Sequence, residues 1–270
     1  MQPPITSSRL RDDLRNNLGI RDGDQIAVHS SMKSLGPVEG GPLALIAALV
    51  DAVGGPDRGT VLMPCFNQPL DIVDARRTPC RLGLVPETFR TCPGVHLSNN
   101  HTHRVAVLGR DAAEIAACHE GTTPLGRGSP FHELARLGGS VVHIGCDMKS
   151  CSLIHVAEFL FPLPFHAAQI AYPGYDKTIT LVCTDGSVRS CPPVENPGDS
   201  HSFHIVQEAM QKYGLLQHGR VGAAACFRAR GLDILATSMD LLAADPAALL
   251  CRKPGCTVCQ ARRQITVSAN

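Results

Sequence analysis

The chain has 270 residues, 44% hydrophobic and 18% charged, which supports one large domain or two modest ones with a real core and excludes a disordered chain. A formal net charge of +1 argues against nucleic acid or an anionic membrane as an obligate partner. No apolar run reaches the ~18–20 residues that cross a bilayer, and the polar N-terminus lacks a signal-peptide core, so a soluble cytoplasmic protein is expected, its twelve Cys reduced.

In chain order, "SSRLRDDLRNNLGI" places Leu10, Leu14 and Leu18 four apart after a Ser cap and ends on Gly19, which predicts an amphipathic helix. "DQIAVHSS" predicts a short buried strand. "PLALIAALVDAVGG" predicts an apolar helix with Pro at its start and Gly past its end, and "GTVLMPCF" a second buried strand. Strand, loop, helix and strand make the unit of a parallel α/β sheet. Residues 67–100 are rich in Pro and Gly, with a short helix through "VPETFR"; so irregular a segment reads as a substrate-facing wall. Further strands are expected at "RVAVLG", "SVVHIGC" and "RVGAAACFRARG". Helices are expected at "DAAEIAACHE", "FHELARLG", "CSLIHVAEFL", "HSFHIVQEAMQKYGLL" and "LDILATSMDLLAADPAALL". "KTITLVCTDGSVRS" has Asp-Gly at the centre of a hairpin. The expected fold is a single large α/β/α domain over residues 1–250, with a mixed, largely central sheet and a late antiparallel appendage. The Cys-rich tail at 251–270 packs on it.

The segment "HSSMKSLGPVEGGP" at 29–42 cannot be a core strand or a helix interior. A Gly-rich loop that opens a helix exposes backbone amides to an anion or a peptide-like chain. It matches neither G-x-x-x-x-G-K-[ST] nor G-x-G-x-x-G, and a tight turn that needs Gly explains it equally well from spacing alone.

The stretch "VHSSMKSLGPVEGGPLALIAALVDAVGGPDRGTVLMPCF" resembles the opening signature of the aminoglycoside 3-N-acetyltransferase family. "PETFRTCPGVHLSNNHTHRVAVLG", "TPLGRGSPFHELARLGGSVVHIGC", "SLIHVAE" and "SFHIVQEAMQKYGLLQHGRVGAAACFRARGL" resemble later blocks of that family, in order, over roughly residues 5–250. The resemblance implies an acetyl-CoA-dependent N-acetyltransferase acting on the 3-amino group of the 2-deoxystreptamine ring of an aminoglycoside antibiotic, a resistance enzyme. It implies that the first loop lies along the pantetheine arm of acetyl-CoA, through His29, Ser30, Ser31, Ser34, Leu35, Gly36, Val38, Gly40 and Gly41. Ser129, which opens another helix, could meet CoA or serve as a plain N-cap.

Acetyl transfer from a thioester to an amine needs a base, donors for the oxyanion and alignment. His155 and Glu158 are three apart on a predicted helix and share a face. Bare spacing allows a surface pair; the resemblance makes His155 the base and Glu158 the carboxylate that orients it. His103, before a strand, is a second catalytic candidate. Arg104 stands where the family has Ser, so it adds a phosphate or carboxylate contact or reshapes the acceptor site. For a polycationic acceptor the candidate carboxylates are Asp71, Glu87 and Asp199, with Glu195 also in the late loop.

In the tail, "CRKPGCTVC" gathers Cys251, Cys256 and Cys259, and three thiolates need a fourth ligand for a closed zinc site. By resemblance Cys226 is that ligand, with His201, His204 and Cys191 next; free tail thiols are the alternative, and a redox C-x-x-C is disfavoured because this one is not expected to open a helix after a strand. A zinc hydrolase lacks H-E-x-x-H here. Other acceptors, such as a peptide, nucleoside-like or phosphonate amine, and a non-catalytic binder of CoA or antibiotic, are the alternative functions. The protein is expected to work as a monomer or homodimer with small-molecule partners alone.

Overall fold

The computed structural model describes residues 3–120, 123–168, 170, 176–194 and 198–268. Its helices are α1 (Ser7–Leu18), α2 (Met32–Leu35), α3 (Gly41–Ala52), α4 (Leu84–Phe89), α5 (Ala112–Ala117), α6 (Pro130–Arg136), α7 (Ser152–Leu160), α8 (His204–Lys212), α9 (Gly231–Ala244) and α10 (Thr257–Ser268). Its strands are β1 (Gln25–Ser30), β2 (Thr60–Pro64), β3 (Ile72–Asp74), β4 (His96–Leu97), β5 (Val105–Gly109), β6 (Ser140–Ile144), β7 (Ile179–Val182), β8 (Val188–Cys191), β9 (Gln217–Val221) and β10 (Ala224–Arg230).

Seven strands form one sheet in the order β4-β5-β2-β1-β6-β10-β9. Its centre, β2-β1-β6, is parallel, and the flanking strands are antiparallel. The parallel centre is covered on both faces, which is why β2 and β6 are buried along their whole length. Side chains alternate between the faces. Ile26, Val28, Val61, Val142 and Cys226 join a core with Leu10, Leu14, Leu18, Leu45, Leu49 and Phe89 from α1, α3 and α4. Ala27, Leu62, Val141 and Phe227 join the opposite core, with Phe131, Leu153, Val206, Ile234 and Cys259 from α6 to α10. The expected α/β/α arrangement with a mixed central sheet is the one observed. No described helix is long and apolar enough to cross a membrane.

Three local differences have clear causes. Thr6 caps α1, its Oγ1 accepting from Arg9 N–H at 3.3 Å, so the cap lies one residue before the Ser pair. "RVGAAACFRARG" forms the expected strand as β10, and it also holds the end of β9 and the hairpin turn between the two. Gly222 (φ 56°) makes that turn, and a Cβ there would sit 2.9 Å from the Leu35 carbonyl oxygen. The β7–β8 hairpin forms as expected, but it pairs with β3 in a separate three-stranded sheet. Strand β3 of the irregular 67–100 segment therefore shares a sheet with the late appendage, while β4 of that segment joins the large sheet.

Candidate active site

A cleft of about 520 Å³ opens at the carboxyl ends of the three parallel strands, the place where open α/β sheets bind ligands. Strand β1 supplies His29 and Ser30, and β2 runs into Phe66, Asn67, Gln68 and Pro69. The turn after β6 supplies Cys146, Lys149, Ser150 and Cys151. Arg81, Leu82, Thr102 and His103 line the wall, and α7 contributes His155.

His155 Nδ1 lies 2.6 Å from Glu158 Oε2, with side-chain exposures of 12% and 7%. One turn of α7 produces this i,i+3 pair, and burial makes it a directed bond rather than a surface contact. With Nδ1–H donating to the carboxylate, Nε2 of a ring that lines the cleft is left as the basic nitrogen. Phe203 stands edge-on to the ring with centroids 4.6 Å apart, which limits its rotation.

His103 also lines the cleft. Its Nδ1 is 2.8 Å from Thr102 Oγ1, and its ring meets Phe66 edge-on at 4.5 Å. Burial, with a smaller effect of His155 and other histidines, pushes its pKa down to about 3, so the ring is neutral. His29 is the first rung of a ladder of rings across the sheet. The register pairs His29 with His143 and His143 with Phe227. The rings stack at 5.1 and 4.6 Å, and Phe131 lies parallel to His29 at 6.2 Å. Burial lowers the His29 pKa to about 4 and that of His143 well below its ordinary value.

The loop at 29–42 reaches the cleft only at His29 and Ser30. Ser31 N–H donates to the Ile144 carbonyl at 2.8 Å, and Ser34 Oγ bonds Ser31 Oγ and the Gly145 carbonyl at 3.0 and 3.1 Å. Farther on, the loop turns away: Ile5 N–H donates to Pro37 and Glu39 N–H to Ile5, and Val38 bridges Ile5. Its strand-like edge is thus already paired with the N-terminal segment, and Leu35, Gly36, Val38, Gly40 and Gly41 lie outside the cleft lining. Ser129 is fully buried at the start of α6, with Oγ unpartnered, and lies outside the lining too.

The acidic candidates do not converge on the cleft. Asp71 is exposed and pairs with Lys177. Glu87 grips Arg90 through bonds of 2.6 and 2.7 Å and accepts from Cys80 N–H at 2.6 Å; Arg90 holds its carboxyl below the ordinary range. Asp199 sits between two residues that line the cleft but accepts from His201 N–H at 2.8 Å. Glu195 lies outside the described residues. Among the described residues lining the cleft there is no carboxylate, while Arg81 and Lys149 are both present. Arg104 does not face a ligand. It is fully buried, and its guanidinium donates to the carbonyls of Ala75 at 2.6 Å and Thr78 at 2.7 Å.

The thiols of Cys251, Cys256 and Cys259 lie within 4.8 Å of one another. Cys226 is not with them. It faces the opposite core, because its neighbour Phe227 takes the face that the tail packs against. His201, His204 and Cys191 are likewise outside the group. The C-x-x-C opens a helix, α10, but the element before it is α9 and not a strand, in keeping with the sequence reading. Three soft donors at one point suit zinc but leave one coordination position to a group outside the trio.

Sequence reasoning missed the turn after β6 and Phe66; Asn67, Gln68 and Pro69 fall in the segment read as a substrate-facing wall, but none was singled out. The signal for them was positional: they follow the predicted parallel strands.

The family model for aminoglycoside 3-N-acetyltransferase matches residues 27–243. Aminoglycoside N(3)-acetyltransferase IV of Salmonella sp is 31% identical over 238 residues, 87% of this chain and 86% of its own. The crystal structure of a histidine-to-alanine variant of AAC(3)-IVa in complex with a gentamicin superposes with a TM-score of 0.83 at 30% identity, over 98% of both chains. AAC-IIIb in its binary complex with CoASH gives 0.76 at 26% identity, over 89% of this chain and 97% of its own. The chain belongs to the aminoglycoside 3-N-acetyltransferase family.

Proposed function

We propose that this chain transfers the acetyl group of acetyl-CoA to the 3-amino group of the 2-deoxystreptamine ring of an aminoglycoside, by direct attack on the thioester. The observation that carries the reading is the buried His155–Glu158 bond of 2.6 Å at the cleft. The gentamicin-bound and CoASH-bound relatives support the two substrates. His155 Nε2 takes a proton from the acceptor amine, whose nitrogen attacks the acetyl carbon. The C–S bond breaks, and the departing CoA sulfur takes the proton back from the imidazolium, which Glu158 stabilises meanwhile. Ser30 and Lys149 lie on the donor side. Neutral His103 orients the acceptor as a hydrogen-bonding partner.

Mass spectrometry of products from gentamicin and acetyl-CoA tests this. One added acetyl is expected from the native protein, with the rate falling about 10³-fold in His155→Ala and about 10²-fold in Glu158→Gln. CoA binding without acetylation would overturn it.

We also propose that Cys251, Cys256 and Cys259 hold a structural zinc ion. Bound there, it would cross-link the tail to itself and take no part in acetyl transfer.

A further inference from the structure

Behind His103 runs a short chain of buried polar groups that begins at Asn100, and it decides which ring nitrogen carries the hydrogen. Asn100 and Thr102 are both buried. Asn100 Oδ1 accepts from two backbone donors, Thr102 N–H at 3.0 Å and His103 N–H at 2.8 Å. A backbone N–H only donates, so these bonds fix the amide with its oxygen on this side. Thr102 Oγ1 lies 3.1 Å from the same oxygen and 2.8 Å from His103 Nδ1. A hydroxyl has one hydrogen to give, and the amide oxygen has none. The hydroxyl hydrogen therefore goes to Asn100, and the contact with the ring is a hydrogen bond only if Nδ1–H is its donor. Turning the hydroxyl towards Nδ1 instead would set its lone pairs against the amide oxygen in a buried place, which costs free energy.

A neutral imidazole has one N–H, so Nε2 is left bare. Nε2 forms no hydrogen bond to a described residue, while the ring lines the cleft. Phe66, edge-on at 4.5 Å, resists the ring flip that would exchange the two sides of the imidazole. His155 carries its Nδ1 against a carboxylate, which stabilises a charged ring. His103 is backed by a hydroxyl and an amide, which give no such support, and burial opposes its charging. The two rings thus differ in what they can do: His155 can take up a proton, and His103 can accept a hydrogen bond and stay neutral.

We propose that Asn100 and Thr102 are positioning residues that hold His103 as its Nδ1–H tautomer, so that Nε2 accepts a hydrogen bond from an N–H or O–H group of a bound substrate. His103 is then an anchor for a donor group and cannot itself donate to the oxyanion of the thioester. This rests on the acetyl-transfer reading above. Both substrates carry such donors, an aminoglycoside in its ammonium and hydroxyl groups and acetyl-CoA in its pantetheine amides.

The test is heteronuclear NMR of the full chain with nitrogen-labelled histidine, beside steady-state kinetics with gentamicin and acetyl-CoA. The signals lost in His103→Gln identify the ring. In the native protein Nδ1 is expected to be protonated and Nε2 bare. Thr102→Val keeps the shape of the side chain and removes the hydroxyl; it should give a mixture of tautomers and lower kcat/KM about tenfold. Asn100→Ala frees the hydroxyl hydrogen and should mix the tautomers in the same way. Thr102→Ser should restore the native spectrum and the native rate. The loss in Thr102→Val falls on kcat/KM for the substrate that supplies the hydrogen, gentamicin or acetyl-CoA, and either result supports the proposal. A native ring protonated at Nε2 would overturn it, as would native kinetics in Thr102→Val or a native spectrum in Asn100→Ala. The spectrum needs no turnover, so a native protein that acetylates nothing would overturn the acetyl-transfer reading while the tautomer is still decided.

Discussion

Four histidines, His29, His103, His119 and His143, are held neutral by burial. His119 shows what makes this tolerable: its ring nitrogens lie 2.8 Å from Ser98 Oγ and the Pro124 carbonyl oxygen, the bonding pattern of one neutral tautomer. The unfolded chain protonates such rings near pH ~6.5, whereas folded His29 and His119 do so only near 4. Their contribution is therefore complete above the unfolded value and is lost as pH falls from there towards 4. The loss is about 1.4 kcal/mol per pH unit for each ring. Urea unfolding between neutral pH and the onset of carboxylate titration should show this slope. His29→Phe, which keeps the stack on Phe131, should flatten it by one ring's share. Spacing alone brought His155 and Glu158 together on one helix face, but it could not show that the pair is buried. Arg104 was misjudged for the same reason: nothing in its neighbours along the chain says that a charged residue points inward.

At the scale of elements, Arg104 joins β5 to the turn that follows β3. Its guanidinium is the donor for the Ala75 and Thr78 carbonyls, which otherwise lie where water does not compete. Arg104→Lys keeps the charge but cannot serve both oxygens with a planar fork. A loss of about 3 kcal/mol is expected in urea unfolding, well beyond a surface Arg→Lys change. The parallel strands and their helices were legible because apolar runs, capping residues and Gly stops agreed. The β9–β10 hairpin was not, since its Gly-Ala turn lies inside a run of small residues without an Asn-Gly or Asp-Gly signal. The first loop was recognised as special, yet its pairing with Ile5 is a long-range bond that the loop's own composition cannot announce.

Across the described residues, the central sheet separates two large cores, with a small third on the three-stranded sheet, and this decides which residues can act together. Cys226 was grouped with the tail thiols by resemblance to the family, but the sheet separates them. Metal analysis of purified protein should find about one zinc per chain, retained in Cys226→Ala and lost in Cys259→Ser. Equal zinc in both variants would remove the trio from the site.

The edge-on contact between Phe66 and His103, 4.5 Å apart in the lining of the cleft, carries an optical consequence. The sequence contains no Trp and three Tyr, so the native chain is nearly dark under excitation selective for indole. Phe66→Trp would place a single emitter at the mouth of the cleft, with an imidazole at its edge as a built-in quencher. Arrival of either substrate would then be read as a change in emission, separately from turnover and without a label.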